Sequence, residues 1–237
     1  MNLPDLLFCA FSLLGLCLVP AALGRNAWGV LLAFAALGLL LLIAPAPLHP
    51  ARNVWVALAL SQGPWLLLAL DLMARGRIAL AVDPVPLRPW LAFSLVHLLA
   101  LRHLLSAAHG DIPPLFAFEA AFAGFLISLG ALALWLVNRP GSGWYRGLAL
   151  FWNTWALIHA VELGLRIQRT APDFPLASWA EPSRELYGYF TGWPGALDAF
   201  FWIPLSAAIH LVIFYKIFQG SRAGEAAPET SPVHSVL

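Results

Sequence analysis

Seven stretches of the chain, near 6–23, 27–46, 54–73, 90–108, 115–137, 147–168 and 196–218, are long, apolar and almost free of charge. A helix of about 20 such residues crosses a hydrocarbon core. No other feature constrains the chain so tightly, because a segment in lipid must satisfy its own backbone polar groups and so must be helical or part of a closed barrel. The expected fold is all-α, a polytopic bundle of seven transmembrane helices over residues 1–219. The tail 220–237 lacks apolar periodicity and is expected to be disordered. Composition agrees, since 61% of residues are hydrophobic and 11% charged, against about 25% charged in soluble domains.

The connections suit such a bundle. Gly24-Arg25-Asn26 is short enough to make the first two spans an antiparallel hairpin, and Pro45, Pro47 and Pro50 end the second. Ser61-Gln62-Gly63-Pro64-Trp65 should kink the third span, because a proline inside a helix frees a carbonyl one turn back. The one long connection, 170–195, mixes Asp173, Glu181, Arg184 and Glu185 with Phe174, Trp179, Tyr187, Tyr189, Phe190 and Trp193. Tryptophan and tyrosine favour the membrane interface, so this segment should lie on the extracytoplasmic surface as a cap.

Charge sets an expected orientation. With the amino terminus outside, Arg25, Arg75, Arg77, Arg88, Arg139, Arg146, Lys216 and Arg222 fall inside, and Arg52, Arg102, Arg166, Arg169 and Arg184 outside. The positive-inside rule therefore favours amino terminus out and carboxyl terminus in. Arg102, His103, His109, Glu119, Glu162, Arg166, Arg169 and Asp198 then share the outer half, with His97 and His159 near mid-depth. One outward-facing polar pocket among spans four to seven, covered by 170–195, would gather them.

Trp152, Trp155, His159, Glu162, Arg166 and Arg169 follow one another at steps of three and four, which places them along one side of a helix. An ionisable group at membrane depth is costly unless it has a partner or faces water. Glu162 and Arg166 are spaced for a helical ion pair, and the plainest account is mutual neutralisation with Arg166 and Arg169 snorkelling. His159 lies one turn deeper. In the catalytic version of the site His159 and Glu162 transfer protons, Arg166 and Arg169 hold an anionic headgroup, and Trp152 and Trp155 line the apolar end. His97, His103, Glu119 and Asp198 complete the ligand-binding set. On an α-helix His97 and His103 are about 240° apart and cannot share one site.

Several classes of chemistry are excluded. There is no G-x-S-x-G, H-E-x-x-H, P-loop or dinucleotide fingerprint. Cys9 and Cys17 match no metal or redox spacing, and no basic block suggests nucleic acid. The single lysine, Lys216, lies at the end of the last span and not where a retinal Schiff base would need it. Haem b would need axial histidines from facing helices, such as His97 with His159 or His210.

Phe151-Trp152-Asn153, the aromatic loop after it, Trp202-Ile203-Pro204 and His210 carry a resemblance. In these the carboxyl-terminal third resembles a group of small bacterial multi-pass inner-membrane proteins, in which Trp-Asn opens the penultimate helix and proline then histidine mark the last. The resemblance implies a bacterial inner-membrane location and no particular activity. The leading expectation is a pocket that binds, and in one version acts on, a membrane lipid or other amphipathic small molecule, with no metal assigned. The alternatives are a non-catalytic accessory subunit packed against a membrane-protein partner, and a haem-binding redox protein.

Overall fold

The computed structural model describes residues 54–169, 184–192 and 195–225, which are helical with no strand among them. The expected spans 6–23 and 27–46 lie outside the described residues, as do 170–183 of the long connection and 226–237 of the tail.

In chain order the helices are α1 (Val54–Met73), α2 (Arg77–Val82), α3 (Leu87–Phe93), a 3₁₀ segment (Ser94–Leu101) and α4 (Arg102–Ala108). They continue as α5 (Pro114–Val137), α6 (Gly143–Arg169), α7 (Arg184–Thr191) and α8 (Gly195–Leu197). A π-helical turn (Asp198–Trp202) then leads into α9 (Ile203–Glu225), which carries the chain past the predicted end of the bundle. Five helical stretches among the described residues are long and apolar enough to cross a membrane: Trp55–Met73, Leu87–Ala108, Pro114–Val137, Gly143–Arg169 and Asp198–Gln219. They coincide with the third to seventh expected spans. The protein is membrane-embedded and helical.

The lipid-facing surface is legible residue by residue. Along α5, Leu115, Phe118, Phe122, Phe125, Leu129, Leu132 and Leu136 are exposed, whereas Phe116, Ala120, Gly124, Ile127, Ala131 and Leu134 are buried. An apolar face of that extent is untenable in water and ordinary in a bilayer. Pro113 and Pro114 start α5 where a missing N–H costs nothing, and Asn138 ends it in the left-handed region at φ 42°.

The last span is the hub. It is 67% buried, against 28–39% for the other four. It packs along α6 and α1, while α5 packs along the 3₁₀ segment and α4. Close approach is bought with small residues: a Cβ on Gly124 would come within 2.6 Å of the His97 carbonyl, and one on Gly164 within 2.7 Å of Gln62 Nε2. Pro64 lies inside a continuous α1, and Gln62 beside it accepts from Trp65 Nε1 at 3.0 Å. Two apolar clusters result. One gathers Trp90, Ile127, Tyr145, Trp152 and Ile213, and the other Phe116, Leu163, Ile167, Phe190 and Phe200.

Candidate functional site

Among the buried polar side chains are two groups at different depths, each touching a stretch where the helix is not α. Three-residue turns eclipse positions i and i+3, so a 3₁₀ segment lines up residues that an α-helix would spread. Ser94, His97, His103 and Ser106 follow at multiples of three across the 3₁₀ segment and into α4, and all four are buried. His97 and His103 both face inward, but toward different partners, and they do not share one site.

The deeper group joins three elements. His97 Nε2 and His210 Nε2 are 3.0 Å apart, His210 Nδ1 lies 2.8 Å from Asn153 Oδ1, and Asn153 Nδ2 donates to the His210 carbonyl at 2.8 Å. The carbonyl can only accept, which fixes the nitrogen end of the Asn153 amide and leaves its oxygen to accept from His210 Nδ1–H. His210 Nε2 is then the acceptor, and His97 Nε2–H the donor to it. The ring centroids are 5.2 Å apart, so the two nitrogens point at one another and not toward a shared third atom. Two axial imidazoles would sit roughly 4 Å apart across an iron, at bonds of about 2.0 Å each. The His97–His210 pair is not spaced in that way. Trp152 stands edge-on to His210, with centroids 5.4 Å apart, and donates its indole N–H to the Ile127 carbonyl at 3.0 Å. His159 is half-buried and close enough to act electrostatically on both histidines.

The second group lies toward the other end of the same helices. Arg102 Nη1 donates to Asp198 Oδ2 at 2.9 Å, with both side chains buried. His103 Nε2 is 4.0 Å from the same oxygen, and its ring is set edge-on to Phe116 and Phe190. Tyr189 reaches in from α7, where its hydroxyl bonds Arg102 Nη2 and lies 2.8 Å from Ser106 Oγ. Asp198 opens the π-helical turn, an irregularity that recurs at functional sites. His103 Nδ1 is buried without a hydrogen-bond partner among the described residues. Helix α7 packs into the bundle, with Leu186, Tyr187, Phe190 and Thr191 all buried.

The stripe on α6 comes apart. From Trp152 to Arg169 five steps cover 17 residue intervals, about 3.4 each, so it drifts by about 20° per step against a turn of 3.6 residues. Trp152 is buried, Trp155 is 37% exposed, and Glu162 and Arg169 are exposed. The expected Glu162–Arg166 pair is replaced. Arg166 bonds Glu119 on α5 and lies 5.5 Å from the Phe116 ring, on the same α5 side that Trp152 faces. Glu162 forms no ion pair among the described residues.

Of the predicted site residues, then, His97 and His159 approach the deeper group with Trp152, and His103 and Asp198 belong to the second. Glu119 and Arg166 pair at the periphery, and Trp155, Glu162 and Arg169 stand apart. Asn153, Ser106 and Tyr189 complete the groups without having been singled out as site residues. Spacing by threes from Ser94 to Ser106 was the available signal for Ser106. Among the described residues no three His, Cys, Asp or Glu side chains gather as metal ligands. Compared with protein-family models, curated proteins and solved structures, the chain matches none.

Proposed function

We propose that this integral membrane protein binds an amphipathic, lipid-like molecule at the Arg102–Asp198 group, with α7 as the lid. The observation that carries this reading is Tyr189, which belongs to the connection between two spans yet places its hydroxyl on the buried Arg102 and on Ser106. A phenol in that position occupies hydrogen-bonding capacity that a ligand's hydroxyl or anionic oxygen can take over. The unpartnered His103 Nδ1 offers a further polar contact beside it. Phe116 and Phe190 supply apolar walls. With the amino terminus outside, this group faces the outer leaflet. Proton transfer, in a catalytic version, falls to His103, the imidazole nearest the group.

Native mass spectrometry of protein extracted gently from its own membranes tests the reading, with Arg102→Gln and Tyr189→Phe alongside. The expected result is a stoichiometric amphiphile on the wild type, lost in Arg102→Gln and exchanging faster in Tyr189→Phe. Bare wild-type protein, or an amphiphile that Arg102→Gln retains unchanged, would overturn it.

A further inference from the structure

At the opposite end of the bundle the start of α3, the first turns of α6 and the end of α9 leave a cavity of about 340 Å³. Leu87, Tyr145, Ala149 and Ile217 form its apolar walls, and two cations, Arg146 and Lys216, line it with them. The volume is at the small end of ligand pockets, suited to a headgroup and not to a whole lipid.

Among the described residues, the two cations of this cavity outnumber the one acid beside it, Asp83, which acts on Lys216 through its charge without forming an ion pair. Neither Arg146 nor Lys216 forms an ion pair among the described residues. Lys216 Nζ instead donates to neutral oxygens, the Asp83 carbonyl at 2.7 Å and, more weakly, the Val82 carbonyl and Gln219 Oε1 at 3.4 Å. The nearby acid, Asp83, has its carboxylate held by Tyr215 Oη at 2.8 Å and by Gln219 Nε2. The positive end of the macrodipole of α6, a helix of 27 residues, adds to the field at Tyr145 and Arg146. Beside the lining residues on α6, Trp144 and Leu148 are exposed to the apolar surroundings. A basic, apolar-walled recess between transmembrane helices is the kind of place that takes anionic lipid headgroups.

We infer that this cavity binds the phosphodiester of an anionic membrane lipid, with the phosphate between Arg146 and Lys216 and the acyl chains leaving over Trp144 and Leu148. The site is separate from the Arg102–Asp198 group and stands whether or not that group takes a ligand. Free inorganic phosphate shares the anionic chemistry, but it would leave the apolar walls and the exposed Trp144 without a role.

The test places the protein in nanodiscs of dioleoyl phosphatidylcholine, with and without dioleoyl phosphatidylglycerol, and reads retained lipid by native mass spectrometry and Tm by fluorescence. Wild type should keep phosphatidylglycerol over phosphatidylcholine by about tenfold or more, the effect of roughly 1.4 kcal/mol. Arg146→Gln should abolish most of that preference without lowering Tm in pure phosphatidylcholine. Arg139→Gln, an exposed change at the same end outside the cavity, should leave it intact. Equal retention of the two lipids by wild type would overturn the inference even if a variant failed to fold. So would a preference that survives Arg146→Gln, or inorganic phosphate raising Tm in phosphatidylcholine discs as much as phosphatidylglycerol does.

Discussion

Asn153 decides which nitrogen of His210 carries the proton. Its amide grips the His210 backbone carbonyl with one end and Nδ1–H with the other, each at 2.8 Å. Nε2 is thus left as a lone pair facing His97. Nitrogen-15 spectra of histidine-labelled protein should show His210 in the Nδ1–H form and His97 in the Nε2–H form, with the two Nε2 atoms coupled through the hydrogen bond. Asn153→Ala removes both restraints. It should lower stability by about 1–3 kcal/mol and let His210 populate both neutral tautomers.

Arg102 and Asp198 are buried together, so removing either one takes away a hydrogen-bonded, oppositely charged neighbour of the other. Asp198→Leu should cost about 3–5 kcal/mol. The double change Arg102→Met with Asp198→Leu should be less damaging than Asp198→Leu by itself, because the buried guanidinium goes together with its carboxylate. Reversible unfolding in mixed micelles measures the cycle, and simple additivity of the two changes would contradict it.

Two glycines should respond in opposite directions to alanine. A Cβ on Gly130 would collide with the Trp152 indole, which is itself tied to the Ile127 carbonyl. Gly130→Ala should therefore destabilise by about 1–3 kcal/mol and disturb the fluorescence of Trp152. Gly147, inside α6, has nothing within 4 Å of such a Cβ. Gly147→Ala should stabilise by up to about 1 kcal/mol through helix propensity.

Glu119 and Arg166 form the exposed counterpart of the buried pair, with side chains 44% and 35% accessible. Glu119→Gln should change stability by less than about 1 kcal/mol and Glu162→Gln by less still, since Glu162 forms no ion pair among the described residues. A large loss from Glu162→Gln in thermal melts would show that the α6 stripe acts as a unit after all.

The carboxyl of Asp83 is held below its ordinary value of 3.8 by the donors Gln219 and then Tyr215. Its contribution is present above pH 3.8 and is lost as pH falls through the lower folded value. Asp83→Asn should accordingly lower Tm at neutral pH, and the gap from wild type should close in acid below about pH 3.8.

Five spans were readable from apolar length, because burying backbone polar groups in lipid leaves few choices of structure. The site was readable in part. His97, His103 and Asp198 stood out because ionisable groups at membrane depth are expensive, and Arg102 and His210 were named with them, but Asn153 and Ser106, which bond His210 and Tyr189, carry no charge that would mark them as site residues. Periodicity misled in two places. The α6 residues recur at steps averaging about 3.4 against 3.6 per turn, and Trp155, Glu162 and Arg169 fall on the exposed side while Trp152 and Arg166 face α5. Across Ser94–Leu101 the operative period was three, which an α-helical reading of that stretch does not anticipate. Tyr189 was invisible for another reason: its partners lie more than 80 positions away, and aromatic content by itself points only to an interface.

The tight winding of Ser94–Leu101 has a mechanical consequence. A 3₁₀ helix advances about 0.5 Å more per residue than an α-helix and turns about 20° further. Over the eight residues of the segment, that amounts to roughly 4 Å of length and 160° of rotation at its far end. Arg102 and His103 sit just beyond that end, so their aim at Asp198 is geared to the pitch of the turns beneath them. Any event that slackened those turns to the ordinary pitch would draw the guanidinium inward and swing it off its carboxylate in a single screw motion.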